Sequence, residues 1–427
     1  MATQSETAFT IDTSSIKFGP GVTREVGYEI NRMGSRRVMI VTDPKLTNSE
    51  PIATVRESVR AAGVDSVLFD QVSVEPTDIS MKQAIAFAIE GKFDGFIAVG
   101  GGSSIDTAKT ANLYATYPAD FLAYVNAPIG EARSVPGPLK PLIAIPTTTG
   151  TGSETTGVAI FDFLEMRAKT GIAHRALRPD MGLIDPENTR TLPGMVVACS
   201  GFDVLSHAME SFTALPFSQR TAPSHPGIRP SYQGSNPISD IWALKAAEIG
   251  AQYIVRAAQD NTDYEARGQM LLAATYAGIG FGNAGCHLPH GMSYAVSGMV
   301  KEFVAEGYPV NHPLVPHGMS VILNAPAVFR FTAPTNPGRH LQVARAMGAD
   351  ITNATEDDAG EVLSSLLSKL IHTLGLPNGL GDVGYGPNDV ADLTTGTMPQ
   401  QRVLSISPRP VTDNDIRQLF LDSLSLW

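Results

Sequence analysis

Up to residue 190, short apolar runs ending in polar turns alternate with longer segments of helical periodicity, the pattern of a mostly parallel sheet with helical crossovers. Residues 37–43 (RVMIVTD) read as a strand entering a polar turn at Asp43. A helix near 51–63, a strand at 66–69 and a helix near 79–91 follow. The strand 96–99 runs into Gly100-Gly101-Gly102-Ser103-Ser104 and a helix over 107–115. The strand 141–145 runs into the hydroxyl-rich stretch Pro146-Thr147-Thr148-Thr149-Gly150-Thr151-Gly152-Ser153-Glu154.

After Leu192-Pro193 the pattern changes. Strand-like runs become scarce, and alanine-rich segments with helical spacing dominate at 195–213, 238–258, 264–284 and 340–374. The expected organisation is an α/β dinucleotide-binding domain over 1–190 and an all-helical metal-binding domain over 191–427. The loops 214–237 and 301–316 exceed the roughly 12–15 residues beyond which a structureless connection is uncommon unless functional.

Composition sharpens this picture. At 427 residues with 43% hydrophobic content, the chain can fill two cores. A net charge of −11 argues against nucleic acid as a partner and leaves small molecules. An anionic substrate then needs a local cation, for which Arg229, Lys301 and Arg330 are candidates by their place beside the segments of interest. Two cysteines, Cys199 and Cys286, suit reduced buried thiols. The start MATQSETAFTID is neither a secretory leader nor a basic transit peptide, and no apolar run is long enough to span a membrane. A cytoplasmic protein is the expectation.

Two groups of residues carry chemistry. The glycine run 100–102, with Ser103 and Asp106 behind it, lies between a strand and a helix, where backbone N–H groups and the helix dipole favour a phosphate. A tight turn would explain the glycines alone equally well. Asp43, at the end of an earlier strand, can accept from adenosine ribose hydroxyls and repel a 2′-phosphate, which favours NAD over NADP. Thr147 and Thr148 sit at the end of a neighbouring strand.

The second group is a possible metal site. Asp203 and His207 are four apart in a helical segment and share a face. His290 and His317, each followed by glycine, come from separate elements; of nine histidines, four fall within 287–317. One carboxylate and several imidazoles make a divalent transition-metal set. If 283–297 is helical, His287 shares the face of His290 and is a second ligand candidate or a proton relay, and Tyr294 points the same way. A bonded helix aspartate and ordinary core histidines are the bland alternative.

GGGSSIDTAK, PTTTGTGSE, DVLSHAMES, HGMSY and PHG together resemble the iron-dependent (group III) alcohol dehydrogenases over nearly the whole chain. The resemblance implies Asp203, His207, His290 and His317 as ligands of a divalent metal, with Fe(II) expected and Zn(II) chemically suited. It implies NAD held by Asp43, Gly100, Gly101, Gly102, Ser103, Asp106, Thr147, Thr148 and Lys169, and a homodimer or higher homo-oligomer. RPSYQGSNPISDIWALKA, AGIGFGNAGCHLPHGMSYAVSG and HPLVPHGMSVILNAPAVF are similar to the hydroxyacid–oxoacid transhydrogenase branch. That branch implies oxidation of 4-hydroxybutyrate and reduction of 2-oxoglutarate through NAD that stays bound. The alternative is a plain NAD-dependent alcohol or 4-hydroxybutyrate dehydrogenase that releases NADH. Two departures stand out: Tyr294 where most members have a second histidine, and Glu75 where many have asparagine. They leave His287 or Tyr294 to serve as the relay.

Overall fold

The computed structural model describes residues 4–166, 168–308, 310 and 312–427; residues 309 and 311 of the 301–316 loop and the first three of the chain fall outside it. Two compact units form: one is Asp12–Thr191, and the other joins the segment ending at Ile11 to Leu192–Trp427.

The first unit follows the chain as β1 (Ser15–Phe18), α1 (Val26–Arg32), β2 (Arg37–Val41), α2 (Glu50–Ala61), β3 (Asp65–Phe69) and α3 (Asp78–Gly91). It continues as β4 (Gly95–Gly100), α4 (Gly102–Thr116), β5 (Leu142–Pro146), β6 (Val158–Phe163), β7 (Ala168–Ala173) and β8 (Met181–Ile184). Six strands pair in parallel in the order β1-β8-β5-β4-β2-β3. Period-two alternation supplies both faces. Val38, Ile40, Ile97, Val99, Ile143 and Ile145 pack with Ile52 and Val55 of α2. Met39, Val41, Phe96, Ala98 and Ala144 pack with Ala84 of α3 and Ala108 of α4. A sheet buried on both faces needs such continuous apolar strands.

The strand order reverses between β2 and β4, since β3 lies outside β2 and the later strands continue on the other side of β4. Ligands of open α/β sheets bind at that reversal, beyond the carboxyl ends of the strands. Asp43 follows β2, and Gly101 and Gly102 follow β4.

Three features of this unit were not expected from the sequence: β1, β8 and the antiparallel β6–β7 hairpin. β1 and β8 have four residues each, and β6, paired only with β7, mixes apolar residues with the polar Asp162. Such short or mixed runs give little periodic signal.

Every named element of the second unit is helical: α5 (Gly194–Thr213), α6 (Pro237–Gln259), α7 (Tyr264–Ala284), α8 (Leu288–Gly298), α9 (His317–Ile322) and α10 (Ala325–Thr332). After these come α11 (Pro337–Ala346), α12 (Ala359–Thr373), α13 (Val390–Thr397), α14 (Gln401–Leu404) and α15 (Asp413–Asp422). The periodic segment 340–374 is two helices, not one. Gly348 takes a positive φ after α11, and a Thr355–Asp358 capping box starts a new turn before α12. α5 is buried nearly all round, with Phe202, Leu205 and Met209 in the same core as Ala243 of α6, Met270 of α7 and Met292 of α8. Among the described residues, no helix is long and apolar enough to cross a membrane.

Candidate metal and cofactor sites

Successive turns of α5 present Asp203, His207 and Glu210 on one side, all buried. His290 comes from the first turn of α8 and His317 opens α9. Gly318 is what lets α9 approach α5, because a Cβ there would overlap the Cys199 carbonyl oxygen. From Asp203 Oδ1, His290 Nε2 lies at 3.4 Å, His317 Nε2 at 3.6 Å and His207 Nε2 at 3.7 Å. The structure thus brings together all four residues singled out in the sequence as ligands. His317 is the most open of them, with 26% of its side chain exposed against 3% for Asp203.

Neither Asp203 Oδ1 nor His290 Nε2 has a hydrogen-bond partner, though both are buried. Buried polar atoms aimed at a common point and bonded to nothing are costly unless an ion joins them. Ligands on a tetrahedral ion at about 2.1 Å stand roughly 3.4 Å apart, close to the 3.4–3.7 Å that separate Asp203 Oδ1 from the three imidazoles. The residues fit a divalent metal. Burial pushes His207 down to about 3, which keeps its ring neutral and able to coordinate. Burial disfavours charge on Asp203 too, but the His207, His317 and His290 imidazoles outweigh it and hold the carboxyl well below its ordinary range.

Glu210, which the sequence reading passed over, completes the cluster. Its Oε1 accepts from His290 Nδ1 at 2.6 Å, and its Oε2 accepts the His287 backbone N–H at 2.7 Å. With Nδ1 held by Glu210, Nε2 is the nitrogen that faces Asp203 and is left for a cation. Glu210 is three residues after His207 and seven after Asp203, so helical spacing alone could have flagged it.

The two relay candidates fare differently from the ligands. α7 ends at Ala284 and α8 begins at Leu288, with a turn at Gly285 (φ 96°), so 283–297 is not one helix and His287 does not share the face of His290. His287 Nδ1 accepts from Leu288 N–H at 2.8 Å as the N-cap of α8. The Thr213 hydroxyl donates to Met209 O, so it accepts from His287 Nε2 at 3.0 Å. Both ring nitrogens are used, the residue is fully buried, and burial pushes its pKa down to about 4. His287 is therefore a structural cap, which corrects the relay and ligand readings. The Tyr294 hydroxyl accepts from Arg402 at 2.9 Å.

In the α/β unit, Gly101 is the N-cap of α4 and offers no side-chain cap, leaving the helix start open to an anion. A Cβ on Gly102 would press into the Thr151 side chain, so the loops after β4 and β5 meet through bare backbone. Thr147 N–H donates to Gly100 O, and Ser103 Oγ accepts from Glu75 N–H at 3.2 Å. Asp43 accepts from Lys45 N–H in its turn, and burial raises its carboxyl.

Two of the residues expected at the cofactor are engaged by partners within their own unit. Asp106 faces into its own unit, where Oδ1 meets Ser153 Oγ at 2.5 Å and Lys109 Nζ at 3.2 Å, and Oδ2 accepts Ile160 N–H at 2.9 Å. Lys169 is 1% exposed at its side chain and held by Glu75 at 2.6 Å and Asp162 at 3.1 Å, so Glu75 in the place of an asparagine neutralises it. The three cation candidates for a substrate carboxylate are also paired: Arg229 with Glu6 at 2.9 Å, Lys301 with Asp389 at 2.7 Å and Arg330 with Glu361 at 2.7 Å.

Comparison with known proteins fits this layout. Residues 13–186 match the family model "Iron-containing alcohol dehydrogenase", and residues 231–424 match its C-terminal counterpart. The chain belongs to the iron-containing alcohol dehydrogenase family. It is thus an enzyme, an alcohol dehydrogenase-type oxidoreductase of small molecules, and its sequence puts it in the hydroxyacid–oxoacid transhydrogenase branch. It is 54% identical to the mitochondrial hydroxyacid-oxoacid transhydrogenase of Bos taurus over 98% of this chain and 91% of that one. With the probable enzyme of Dictyostelium discoideum, also named mitochondrial, it is 52% identical over 98% of this chain and 80% of that one. Among solved family structures, an alcohol dehydrogenase from Oenococcus oeni superposes with a TM-score of 0.85 at 25% identity, covering 97% of this chain and all of that one. The iron-containing enzyme of Thermococcus thioreducens gives 0.81 at 26% identity, covering 98% and 99%.

The relatives overturn one expectation. A cytoplasmic location does not stand beside relatives over half identical that are named mitochondrial. That reading rested on the composition of the first dozen residues, which is no guide to the compartment of the whole protein.

Proposed function

We propose that the enzyme is a hydroxyacid–oxoacid transhydrogenase, oxidising 4-hydroxybutyrate to succinic semialdehyde and returning the hydride to 2-oxoglutarate as 2-hydroxyglutarate. The observation that carries this reading is the convergence of Asp203 Oδ1 with three imidazole Nε2 atoms within 3.7 Å, in a chain similar throughout to transhydrogenases.

Asp203, His207, His290 and His317 hold the divalent metal in this proposal, iron(II) by the family's name, with zinc also suited to the donor set. When bound, the metal supplies Lewis-acid polarisation of a substrate oxygen and NAD supplies the hydride carrier. Glu210 keeps the His290 lone pair directed inward by holding the proton of Nδ1. His207 stays neutral through burial, and its stacking on Phe281 at 3.7 Å fixes the ring plane. The dinucleotide pyrophosphate lies on the start of α4 at Gly101, Gly102 and Ser103, with Thr147 and Thr148 beside it. Asp43 receives the adenosine ribose. The active form is a homodimer or higher oligomer, as the resemblance implies.

The test is incubation of metal-loaded protein with 4-hydroxybutyrate and 2-oxoglutarate without added NAD. Succinic semialdehyde and 2-hydroxyglutarate should form in equal amounts. Product only when free NAD is added, with NADH accumulating, would instead indicate the plain dehydrogenase.

A further inference from the structure

The two proposed substrates share one spacing. In 4-hydroxybutyrate the reacting carbon, C4, is two methylenes from the C1 carboxylate; in 2-oxoglutarate the reacting C2 is two methylenes from the C5 carboxylate. One cation at a fixed distance from the reacting oxygen would serve both half-reactions. The negative charge of the whole chain makes such a cation necessary.

We propose that Arg402, on α14, is this specificity-determining anchor, its guanidinium binding the carboxylate two methylenes from the reacting carbon. The inference rests on the hydroxyacid–oxoacid reading above and names how that site selects acids.

Arg402 differs from the paired cations already described. Its Nη2 donates to the Tyr294 hydroxyl at 2.9 Å, and its guanidinium lies 4.8 Å from the Tyr232 ring centroid. Its Nη1 is buried and has no hydrogen-bond partner. Among the described residues, no carboxylate forms an ion pair with it; the groups that act on it are the Tyr294 and Tyr232 hydroxyls, Tyr232 by a side-chain hydrogen bond, and the Cys286 sulfur. A guanidinium cannot shed its proton, and holding its Nη1 away from water without a counterion costs stability. A site that tolerates that cost is built for an anion from outside. The aromatic rings on either side orient the fork without neutralising it.

The position is right as well. Tyr294 stands one turn after His290 on α8, and Val403 and Leu404 pack against Gly291 of the same helix. Tyr232 packs on Gly285, next to Cys286, whose sulfur belongs to a group with His207 and His290 in which the ligand atoms all lie within 4.8 Å of one another. Arg402 therefore borders the cluster, separated from it by the single side chains of Tyr294 and Tyr232.

The experiment compares succinic semialdehyde with butanal, which has a methyl where the acid has its carboxylate, in metal-loaded protein with NADH. Arg402→Met should lower the ratio of their kcat/KM values by about tenfold or more, mainly through KM for the acid. A purely structural role would lower both alike and leave the ratio unmoved. Arg402→Lys keeps the charge but loses the planar fork, and should give an intermediate ratio. Should Arg402→Met fail to fold, the lysine variant decides by the same ratio. A wild-type ratio in the folded variants overturns the anchor. Wild-type protein that forms no product from 4-hydroxybutyrate and 2-oxoglutarate would sink the transhydrogenase reading instead, and the two failures are distinct.

Discussion

Glu210 Oε1 and His290 Nδ1 stand 2.6 Å apart, fully buried, and this single bond decides which nitrogen of His290 faces Asp203. A carboxylate behind a histidine ligand sets the ring's tautomer and raises its basicity. Replacing Glu210 with glutamine keeps the shape but removes the charge. Metal affinity should fall about 10–100-fold, measured by equilibrium dialysis, while His207→Ala should lose the metal outright. A Glu210→Gln protein that retains metal as the wild type does would show that the carboxylate has no hold on the site.

Metal uptake should release a proton. Burial works against a charged His290, but Cys286, Glu210 and Asp203 outweigh it and raise its pKa well above the ordinary imidazole value. The metal-free cluster therefore carries a proton at neutral pH that a cation displaces. Apparent affinity should weaken as pH falls and strengthen as pH rises toward that raised pKa. Calorimetry in buffers of different ionisation enthalpy should find about one proton released per metal. No dependence on the buffer would rule out this displacement.

Asp106 is expected to matter to stability rather than to NAD. Asp106→Ala leaves Lys109, buried with no exposure at its side chain, without its carboxylate partner. Breaking a buried pair in this way costs roughly 3–5 kcal/mol. Urea denaturation of the metal- and NAD-free protein would measure the loss. Unchanged stability together with a raised KM for NAD would restore Asp106 to the cofactor site.

The Glu6–Arg229 pair gives an acid-side dependence of known sign. The Arg229 hydrogen bond is the largest influence on Glu6 and lowers it from 4.5 to about 2. A depressed folded-state pKa means the contribution is complete above pH 4.5 and disappears as the pH falls toward 2. The Tm advantage of wild type over Glu6→Gln should shrink across that window. An advantage that is flat with pH would show that the charge of Glu6 contributes nothing.

The long, strongly periodic elements were legible from residue spacing, including the α5 turn that puts Asp203 and His207 on one face. The convergence with His290 and His317 was legible too, because glycines next to those histidines allow close packing. His287 misled because the sequence between 283 and 297 has helical spacing, while the positive φ at Gly285 breaks the helix before it. Glu210 went unnoticed because a glutamate in an apolar helix reads as a surface position unless its burial is known. The same holds for Asp106 and Lys169, whose charges are spent inside the α/β unit on partners distant in sequence. Arg402 is far from every motif, and only folding shows that it lacks a counterion.

Glu6 N–H donates to Arg220 O, and Thr10 is bonded to Gln233 by both backbone and side chain, so the helical unit is stitched from the two sides of an uninterrupted α/β insert. On the ribosome, the segment ending at Ile11 must stay unmated while Asp12–Thr191 emerges and folds, and it finds its place only when residues 220–233 arrive.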